Sequence, residues 1–235
     1  MGGTDQNKIL IVGDVHGEFG ILNSLINNKK PDILIACGDF GYWPEWDRSG
    51  NFLGHLTRNI KPQETTIYWC DGNHEHHDNL SKLVRSSSSR VKPKPVEVEK
   101  QVFYCPRGTI LPIENENFLF LGGADSIDKG RRRLGVDWFR QEVISPKDFA
   151  RIPKRAKIGT VISHTAPECL LPDLLNHNPS KYNDPSPKAL QAVLEAYRPK
   201  RWFFGHWHIH REWKRSTHYT ALGAAGYPAK FWAWY

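Results

Sequence analysis

Short apolar runs alternate in the first third of the chain with segments whose apolar residues recur at helical spacing. Residues 8–12, 32–37 and 66–70 are rich in β-branched, aliphatic and aromatic side chains, which is typical of buried strands. Residues 21–26 and 51–59 have the pattern of helices. Strands that alternate with helices indicate a layered α/β fold with a largely parallel core.

The pattern changes after residue 85. A serine run at residues 86–89 and alternating Lys and Pro at residues 92–95 predict an exposed loop. Three short apolar runs then predict successive strands at 102–105, 109–113 and 118–121. We expect the sheet to become antiparallel in this part of the chain.

The rest of the chain returns to the first pattern. Residues 157–163 and 200–204 resemble buried strands, and residues 187–197 between them have the spacing of an amphipathic helix. Residues 212–234 predict further strands separated by Gly and Pro turns. A chain of 235 residues can bury one large core. We therefore expect a single domain over residues 1–235.

The composition is that of an ordinary globular protein. Hydrophobic residues make up 39% of the chain and charged residues 24%, and no apolar run approaches the roughly 18 residues that a membrane span requires. The first residues carry no basic segment followed by an apolar one, so they predict no secretory signal. The four cysteines form no CxxC pair, which favours free thiols. Together these features predict a cytoplasmic protein with no membrane partner.

The charge balance adds a hint about partners. A net charge of +7 favours polyanions, but the basic residues are spread over the chain apart from Arg131, Arg132 and Arg133. Such a run is usually a solvated face. It also follows a loop predicted near the strand ends, where it could attract a polyphosphate or a nucleic-acid backbone. Nucleic acid is therefore a candidate partner, and the oligomeric state is left undetermined.

Metal-type side chains follow five of the predicted strands, at the point where each strand ends. They are Asp14 with His16, Asp39, Asn73 with His74, His164, and His206 with His208. Because the carboxyl ends of parallel strands share one edge of a sheet, we expect these side chains to converge. Each position alone has an ordinary alternative, since an Asp after a strand often caps a helix. Five such positions, each beside a glycine or another small residue, favour a common site.

The types of side chain point to divalent metal ions. Carboxylate and amide oxygens with imidazole nitrogens, and no cysteine sulfur, suit Mn²⁺, Fe and Zn²⁺. Two ions with about four protein ligands each need about eight contacts, which seven residues supply if Asp39 bridges both ions. The sequence thus predicts two divalent ions, with Mn²⁺ preferred over Fe, Ni, Zn or Mg.

These motifs resemble those of the calcineurin-like metallophosphoesterases. They are Gly13-Asp14-x-His16-Gly17, Gly38-Asp39, Gly72-Asn73-His74-Glu75, Ser163-His164 and Gly205-His206-Trp207-His208. Their order and approximate spacing hold from residue 9 to residue 208. The resemblance implies a four-layer αββα sandwich, in which helices flank two mixed β-sheets. It also implies a dinuclear metal site at the carboxyl-terminal ends of the strands.

The resemblance further implies a role for each motif residue. The first metal would be held by Asp14, His16, Asp39 and His208, and the second by Asp39, Asn73, His164 and His206. His74 would not be a ligand; it would contact the phosphate and protonate the departing oxygen. The expected reaction is in-line attack on a phosphoester by metal-bound hydroxide, since two ions lower the pKa of a bridging water.

One departure from the family pattern narrows the substrate. The Ser/Thr protein phosphatases of this superfamily carry Asp-Arg-Gly shortly after the second motif, whereas this chain continues Phe40-Gly-Tyr-Trp43. The carboxylate and the phosphate-binding arginine of that element are missing at this position. The sequence therefore favours phosphomonoesters or phosphodiesters of small molecules, nucleotides or nucleic-acid ends over phosphoproteins.

Three residues are further candidates for substrate binding. They are Asn73, Tyr42 as a surface on which a base stacks, and Arg107 as a bidentate phosphate ligand. The ordinary alternatives are hydrophobic packing for Tyr42 and a surface turn for Arg107. Two other functions stay open: a nucleic-acid-binding protein that uses the basic surface, and a nuclease that cuts within a strand.

Overall fold

The computed structural model describes residues 6–43, 64–87, 92–175 and 183–235. Within these ranges, twelve strands form two six-stranded sheets, which confirms the layered α/β prediction. The predicted helix at 51–59 and the second half of the serine run lie outside the described residues. No described helix is both long enough and apolar enough to cross a membrane.

The first sheet is built around the early apolar runs. Its strands are β1 (Ile9–Val12), β2 (Ile33–Ala36), β3 (Thr66–Trp69), β4 (Val96–Glu99), β5 (Val102–Tyr104) and β12 (Trp232–Trp234). In the order β12-β1-β2-β3-β5-β4, the four central strands are parallel and the two edge strands are antiparallel. The parallel strands therefore end on one common edge.

The second sheet has the same plan. Its strands are β6 (Thr109–Ile113), β7 (Glu116–Leu121), β8 (Thr160–Ser163), β9 (Arg201–Phe204), β10 (Arg211–Lys214) and β11 (His218–Ala221). In the order β10-β11-β9-β8-β7-β6, the edge strands β10 and β6 are antiparallel to their neighbours. The predicted change to antiparallel pairing is confirmed for β6 with β7, whereas β5, predicted in the same series, lies in the first sheet between β3 and β4. The parallel core resumes at β8, because a long crossover joins it to β7.

Helices cover the outer faces of the two sheets. They are α1 (Phe19–Lys29), α2 (His77–Ser86), α3 (Pro146–Ala150), α4 (Leu171–Leu174) and α5 (Ser186–Tyr197). Helix α5 confirms the amphipathic pattern predicted at 187–197, and its buried Leu190 and Val193 pack with Trp202 and Phe204 of the second sheet.

Strand alternation explains the four layers. Successive side chains of a strand point to opposite faces, and β1 is buried on both. Leu10 and Val12 belong to the core that includes Leu22 and Ile26 of α1. Their neighbours Ile9 and Ile11 belong instead to the core between the two sheets. A run that is apolar at every position is thus what a strand between two layers requires, and the fold is the αββα arrangement that the resemblance implied.

Candidate metal centre

The metal-type side chains meet where the parallel strands of both sheets end. Asp14 follows β1, Asp39 follows β2, His164 follows β8 and His206 follows β9. The backbone N–H of His206 donates to the Asp14 carboxylate at 2.9 Å, and Nδ1 of His164 donates to the carbonyl of Cys37 at 2.9 Å. These bonds join the loops of the two sheets, so residues about 190 positions apart become neighbours.

One group of ligand atoms surrounds Asp14. Nε2 of His208 lies 3.0 Å from Oδ2 of Asp14 and 3.2 Å from Nε2 of His16. Nε2 of His16 in turn lies 3.8 Å from carboxylate oxygens of both Asp14 and Asp39. Ligand atoms of Asp14, His16 and His208 all lie within 4.8 Å of one another, which is the spacing that one cation requires.

A second group surrounds His164. Its Nε2 lies 3.0 Å from Oδ1 of Asn73 and 3.4 Å from Oδ2 of Asp39, while its ring centroid is 5.0 Å from that of His206. Because Nδ1 is engaged by the Cys37 carbonyl, Nε2 is the atom available to a ligand. Asp39 faces both groups, which is the position that a bridging carboxylate needs, and Oδ1 of Asp14 also lies 3.8 Å from Nδ1 of His164.

The backbone at these positions is held in a conformation that most residues avoid. The φ angles of His16, Asp39, His206 and His208 are 49°, 44°, 67° and 49°. Non-glycine residues rarely occupy this left-handed region, and each instance costs about 1 to 3 kcal/mol. Four of the eight described non-glycine residues with positive φ are thus ligand-type residues at the strand ends, which indicates that the surrounding structure holds them in place.

Two glycines of the motifs are needed because a carboxylate lies against their backbone. A Cβ atom at Gly72 would overlap the carboxylate of Asp39, and one at Gly205 would overlap that of Asp14. Both carboxylates also accept backbone N–H donors: Asp39 from His74 at 2.8 Å and Asp14 from His206. The glycines therefore allow the motif loops to orient the carboxylates.

The electrostatics of the cluster suit a bound cation. Burial alone would lower the pKa of His164, but Asp39 and Asp14 raise it to about 10. Burial would raise the pKa of Asp39, yet the neighbouring histidines, His164 first, hold it well below its ordinary value. Burial and the charge of His164 lower the pKa of His206 to about 3. Asp39 is thus ionised and His206 neutral, the states that ligation requires, and a cation would take the place of the His164 proton.

A cleft of about 400 Å³ opens beside this cluster. Its walls are formed by His16, Gly17, Gly41, Trp43, His74, Arg132 and Asp137. The ring of His74 stands 5.3 Å from that of His16, centroid to centroid. Burial lowers the pKa of His74, as does Arg132, while Asp39 acts in the opposite sense. His74 therefore lies between the predicted ligands and the open cleft.

Arg132 is the site residue that the sequence did not single out. Its guanidinium Nη2 lies 3.1 Å from each ring nitrogen of His74, and its Nε donates to the Asp128 carboxylate at 2.9 Å. Its neighbours Arg131 and Arg133 are exposed. The arginine run was the available signal, but loop sequence carries no periodicity that shows which of the three points inward.

The structure does not bring Arg107 to the cluster. Its Nε and Nη2 atoms donate to Oδ2 of Asp71 at 2.8 and 2.6 Å, and its Nη1 donates to the Val143 carbonyl at 2.7 Å. Its Nη2 also donates to the carbonyls of Gln141 and Glu142. With these donors turned to protein acceptors, Arg107 ties the first sheet to the segment after residue 138.

Tyr42 is likewise part of the interior. It is 5% exposed and packs in the core of the first sheet, with its ring 5.8 Å from that of Trp69. Tyr42 thus has a role in hydrophobic packing and does not offer a stacking surface to a base. Its neighbour Trp43 lines the cleft instead, and the Trp43 indole donates to the backbone carbonyl of His74.

Comparison with known protein families identifies the family to which the chain belongs. The family described as calcineurin-like phosphoesterase matches residues 7–210. The chain belongs to this family. This family generally uses divalent metal ions, and two sets of ligand atoms, those of Asp14, His16 and His208 and those of Asp14, Asp39 and His164, are grouped closely enough to hold such ions.

Two individual proteins illustrate the relationship. The chain is 23% identical over 232 residues to the lariat debranching enzyme of Schizosaccharomyces pombe (strain 972 / ATCC 24843), and the match covers 86% of this chain and 48% of that enzyme. The chain thus spans about half the length of this relative. Among solved structures it is similar to TT1561 of Thermus thermophilus, with a TM-score of 0.56, 11% identity, and coverage of 93% of this chain and 90% of the other. At such identity the structural likeness shows a shared fold.

Proposed function

We propose that this calcineurin-like phosphoesterase hydrolyses phosphomonoesters or phosphodiesters of small molecules, nucleotides or nucleic-acid ends with two divalent metal ions, Mn²⁺ first among them. The observation that carries the proposal is the convergence of seven ligand-type side chains with His74 and Arg132 beside one open cleft. Asp14, His16, Asp39 and His208 would hold one ion, and Asp39, Asn73, His164 and His206 the other. When bound, two such ions lower the pKa of a water and neutralise phosphoryl oxygens.

We assign His74 as the group that protonates the leaving oxygen, a role in which the negative charge of a bound phosphoester must offset the burial and the Arg132 charge that lower the pKa of the ring. Its ring lines the cleft next to His16, and its backbone N–H is fixed by the Asp39 carboxylate at 2.8 Å. A positioned imidazole beside the scissile bond is suited to general acid catalysis. Asn73, whose Nδ2 donates to Oγ of Ser126 at 3.1 Å, is oriented with its oxygen toward His164 and hence toward the metals.

Arg132 takes the place of the arginine that is missing after the second motif. Its Nε is anchored by Asp128, its Nη1 lies 3.5 Å from Oγ of Ser126 and 3.4 Å from the carbonyl of Asp137, and its Nη2 lies beside His74 where the side chain lines the cleft. A planar guanidinium matches phosphoryl oxygens in a bidentate way. We assign Arg132 to phosphate binding and therefore expect a preference for doubly charged phosphomonoesters over singly charged diesters at this position.

The proposal is tested by metal reconstitution. Metal-free protein should be inactive on a panel of nitrophenyl phosphates, cyclic nucleotides and short oligonucleotides, and Mn²⁺ should restore turnover with about two ions bound per chain. Asp39→Asn should bind fewer ions and lose turnover, because its carboxylate faces both groups of ligands. The exposed Glu195→Gln is the matched control and should behave as the wild type. Salt-dependent nucleic-acid binding with no hydrolysis under any metal would instead favour a binding protein.

The role of Arg132 has its own test. Arg132→Ala should lower kcat/KM for nitrophenyl phosphate by about 10- to 100-fold, because a hydrogen bond to a charged group contributes about 1.5 to 3 kcal/mol. The loss for a nitrophenyl methyl phosphodiester should be smaller, because that substrate carries one charge less. Guanidinium in solution should partly restore the variant, and the exposed Arg131→Ala should change little. Equal losses on both substrates would contradict the assignment.

A further inference from the structure

A second cavity lies on the same edge of the first sheet, one strand away from the metal centre. Its volume is about 850 Å³, and it is bounded by α2 on one side and by residues 140–151 on the other. Its floor is formed by Asp71, Tyr104 and Arg107, at the ends of β3 and β5. None of the seven predicted metal ligands lines it. We name this cavity the α2 groove.

The α2 groove is lined by more cationic than acidic side chains. Arg85, Arg140 and Lys147 are exposed at its walls, and within the described residues none of the three has a carboxylate partner. Arg151 also lines the groove and lies 3.8 Å from Asp148. A concave surface with cations on both walls focuses a positive potential, which attracts an extended polyanion.

Apolar surface lies between these cations. Val84 of α2 faces the groove from one wall, and Val143 and Pro146 from the other, all at least partly exposed. Apolar surface of this kind contributes nothing to the binding of a bare inorganic anion. Grooves that combine backbone-tracking cations with apolar or aromatic contacts are suited to single-stranded nucleic acid, whose bases need a surface to rest on.

The groove starts close to the metal centre. Helix α2 begins at His77, three residues after His74, and Nε2 of His77 is 3.0 Å from the carbonyl of Gly72 in the same motif. From there the ten residues of α2 run along the groove to Arg85, a length of about 15 Å. That length accommodates a few nucleotides of a strand.

One layer of rings separates the groove from the metal cleft. Trp43 lines the metal cleft, and its ring is 6.3 Å from that of Phe139, the residue before Arg140 of the groove. His76 packs against both rings. The metal cleft and the α2 groove therefore lie on either side of one layer of packed rings.

We propose that the α2 groove binds a single-stranded nucleic acid whose terminal phosphate lies at the metal centre, which would make oligonucleotides that end in a phosphate the substrate class of this enzyme. This inference rests on the proposed phosphoesterase function for its catalytic half. The groove itself is a binding site and can be tested without turnover.

The test uses two double variants that remove equal charge. Arg85→Glu with Lys147→Glu alters the groove, and Arg155→Glu with Lys188→Glu alters exposed positions outside it. Binding of a fluorescein-labelled 12-nucleotide single strand that ends in a phosphate is followed by anisotropy at several salt concentrations without metal. Turnover of that strand and of nitrophenyl phosphate is then measured with Mn²⁺.

We expect the groove variant to bind the strand at least 10-fold more weakly and to show a salt dependence that is shallower by about 1.4 units of log–log slope, since each of two lost phosphate contacts on a single strand contributes about 0.7. The control variant should bind as the wild type, and all three proteins should hydrolyse nitrophenyl phosphate equally. Equal strand affinity of the two variants would overturn the proposal. The proposal would also be overturned if inorganic polyphosphate competed with the labelled strand for binding as strongly as unlabelled oligonucleotide does. Failure of nitrophenyl phosphate turnover in the wild type would count against the phosphoesterase function and leave the binding result standing.

Discussion

Replacing His74 with alanine is expected to lower kcat by about 10²- to 10⁴-fold, the usual contribution of a positioned general acid, while about two metal ions remain bound. The reason is positional. The His74 ring lines the cleft between His16 and Arg132, but it belongs to neither group of ligand atoms. The loss of the His74 ring should therefore remove a proton donor and leave both groups of ligand atoms in place.

The leaving group provides the sharper measurement for His74. A nitrophenolate leaves with little help, whereas an alkoxide or a ribose oxygen must be protonated. We expect His74→Ala to impair alkyl phosphates more than nitrophenyl phosphates when both are assayed with Mn²⁺. The exposed His210→Ala serves as the control. Unaltered turnover by His74→Ala would remove the assignment, and a loss of metal content would make His74 a ligand instead.

Replacing Arg107 with methionine is expected to destabilise the fold by about 3 to 5 kcal/mol, the typical cost of removing one partner of a buried ion pair. Asp71 is 1% exposed, and without Arg107 the hydroxyl of Tyr104, which donates at 3.0 Å, would be its remaining side-chain donor among the described residues. The carbonyls of Val143 and Glu142 would also lose their donor. Urea unfolding followed by circular dichroism measures the change in free energy.

The pH dependence gives this prediction a second readout. In the wild type, burial would raise the pKa of Asp71, but Arg107 holds it below its ordinary value. The ion pair thus contributes stability above the ordinary pKa of aspartate, and this is lost as the pH falls. In Arg107→Met, burial would raise the pKa of Asp71. The difference in free energy of unfolding between the variant and the wild type should therefore become smaller toward acidic pH.

Two further variants complete the test of Arg107. Adding Asp71→Leu to Arg107→Met removes the stranded charge and should recover part of the lost stability, since the two residues act as a pair. The matched control is Arg151→Met, whose arginine is 40% exposed and lies 3.8 Å from Asp148. A surface pair of this kind contributes about 0 to 1 kcal/mol. A similar small effect of Arg107→Met would show that its network is not a stabilising element.

Much of the fold could be read from burial patterns. The run at 9–12 is apolar at every position because β1 lies between α1 and the second sheet, and the spacing at 187–197 marks the one face of α5 that is buried. Residues 124–156 gave no such signal. This crossover between β7 and β8 has short helices and irregular segments, whose conformation depends on what they pack against rather than on a repeating pattern.

The residues of the candidate site also fall into those that the sequence predicts and those that only the structure places. The sequence by itself determined which residues follow the strands, since apolar runs end at Asp14, Asp39 and His164, and it determined the family through those motifs. Only the tertiary structure decided that Arg132 turns into the cleft, that Arg107 pairs with Asp71, and that the α2 groove exists. The physical reason is that strand and helix periods encode which face is buried, whereas the direction of a loop side chain is set by distant partners that no local pattern names.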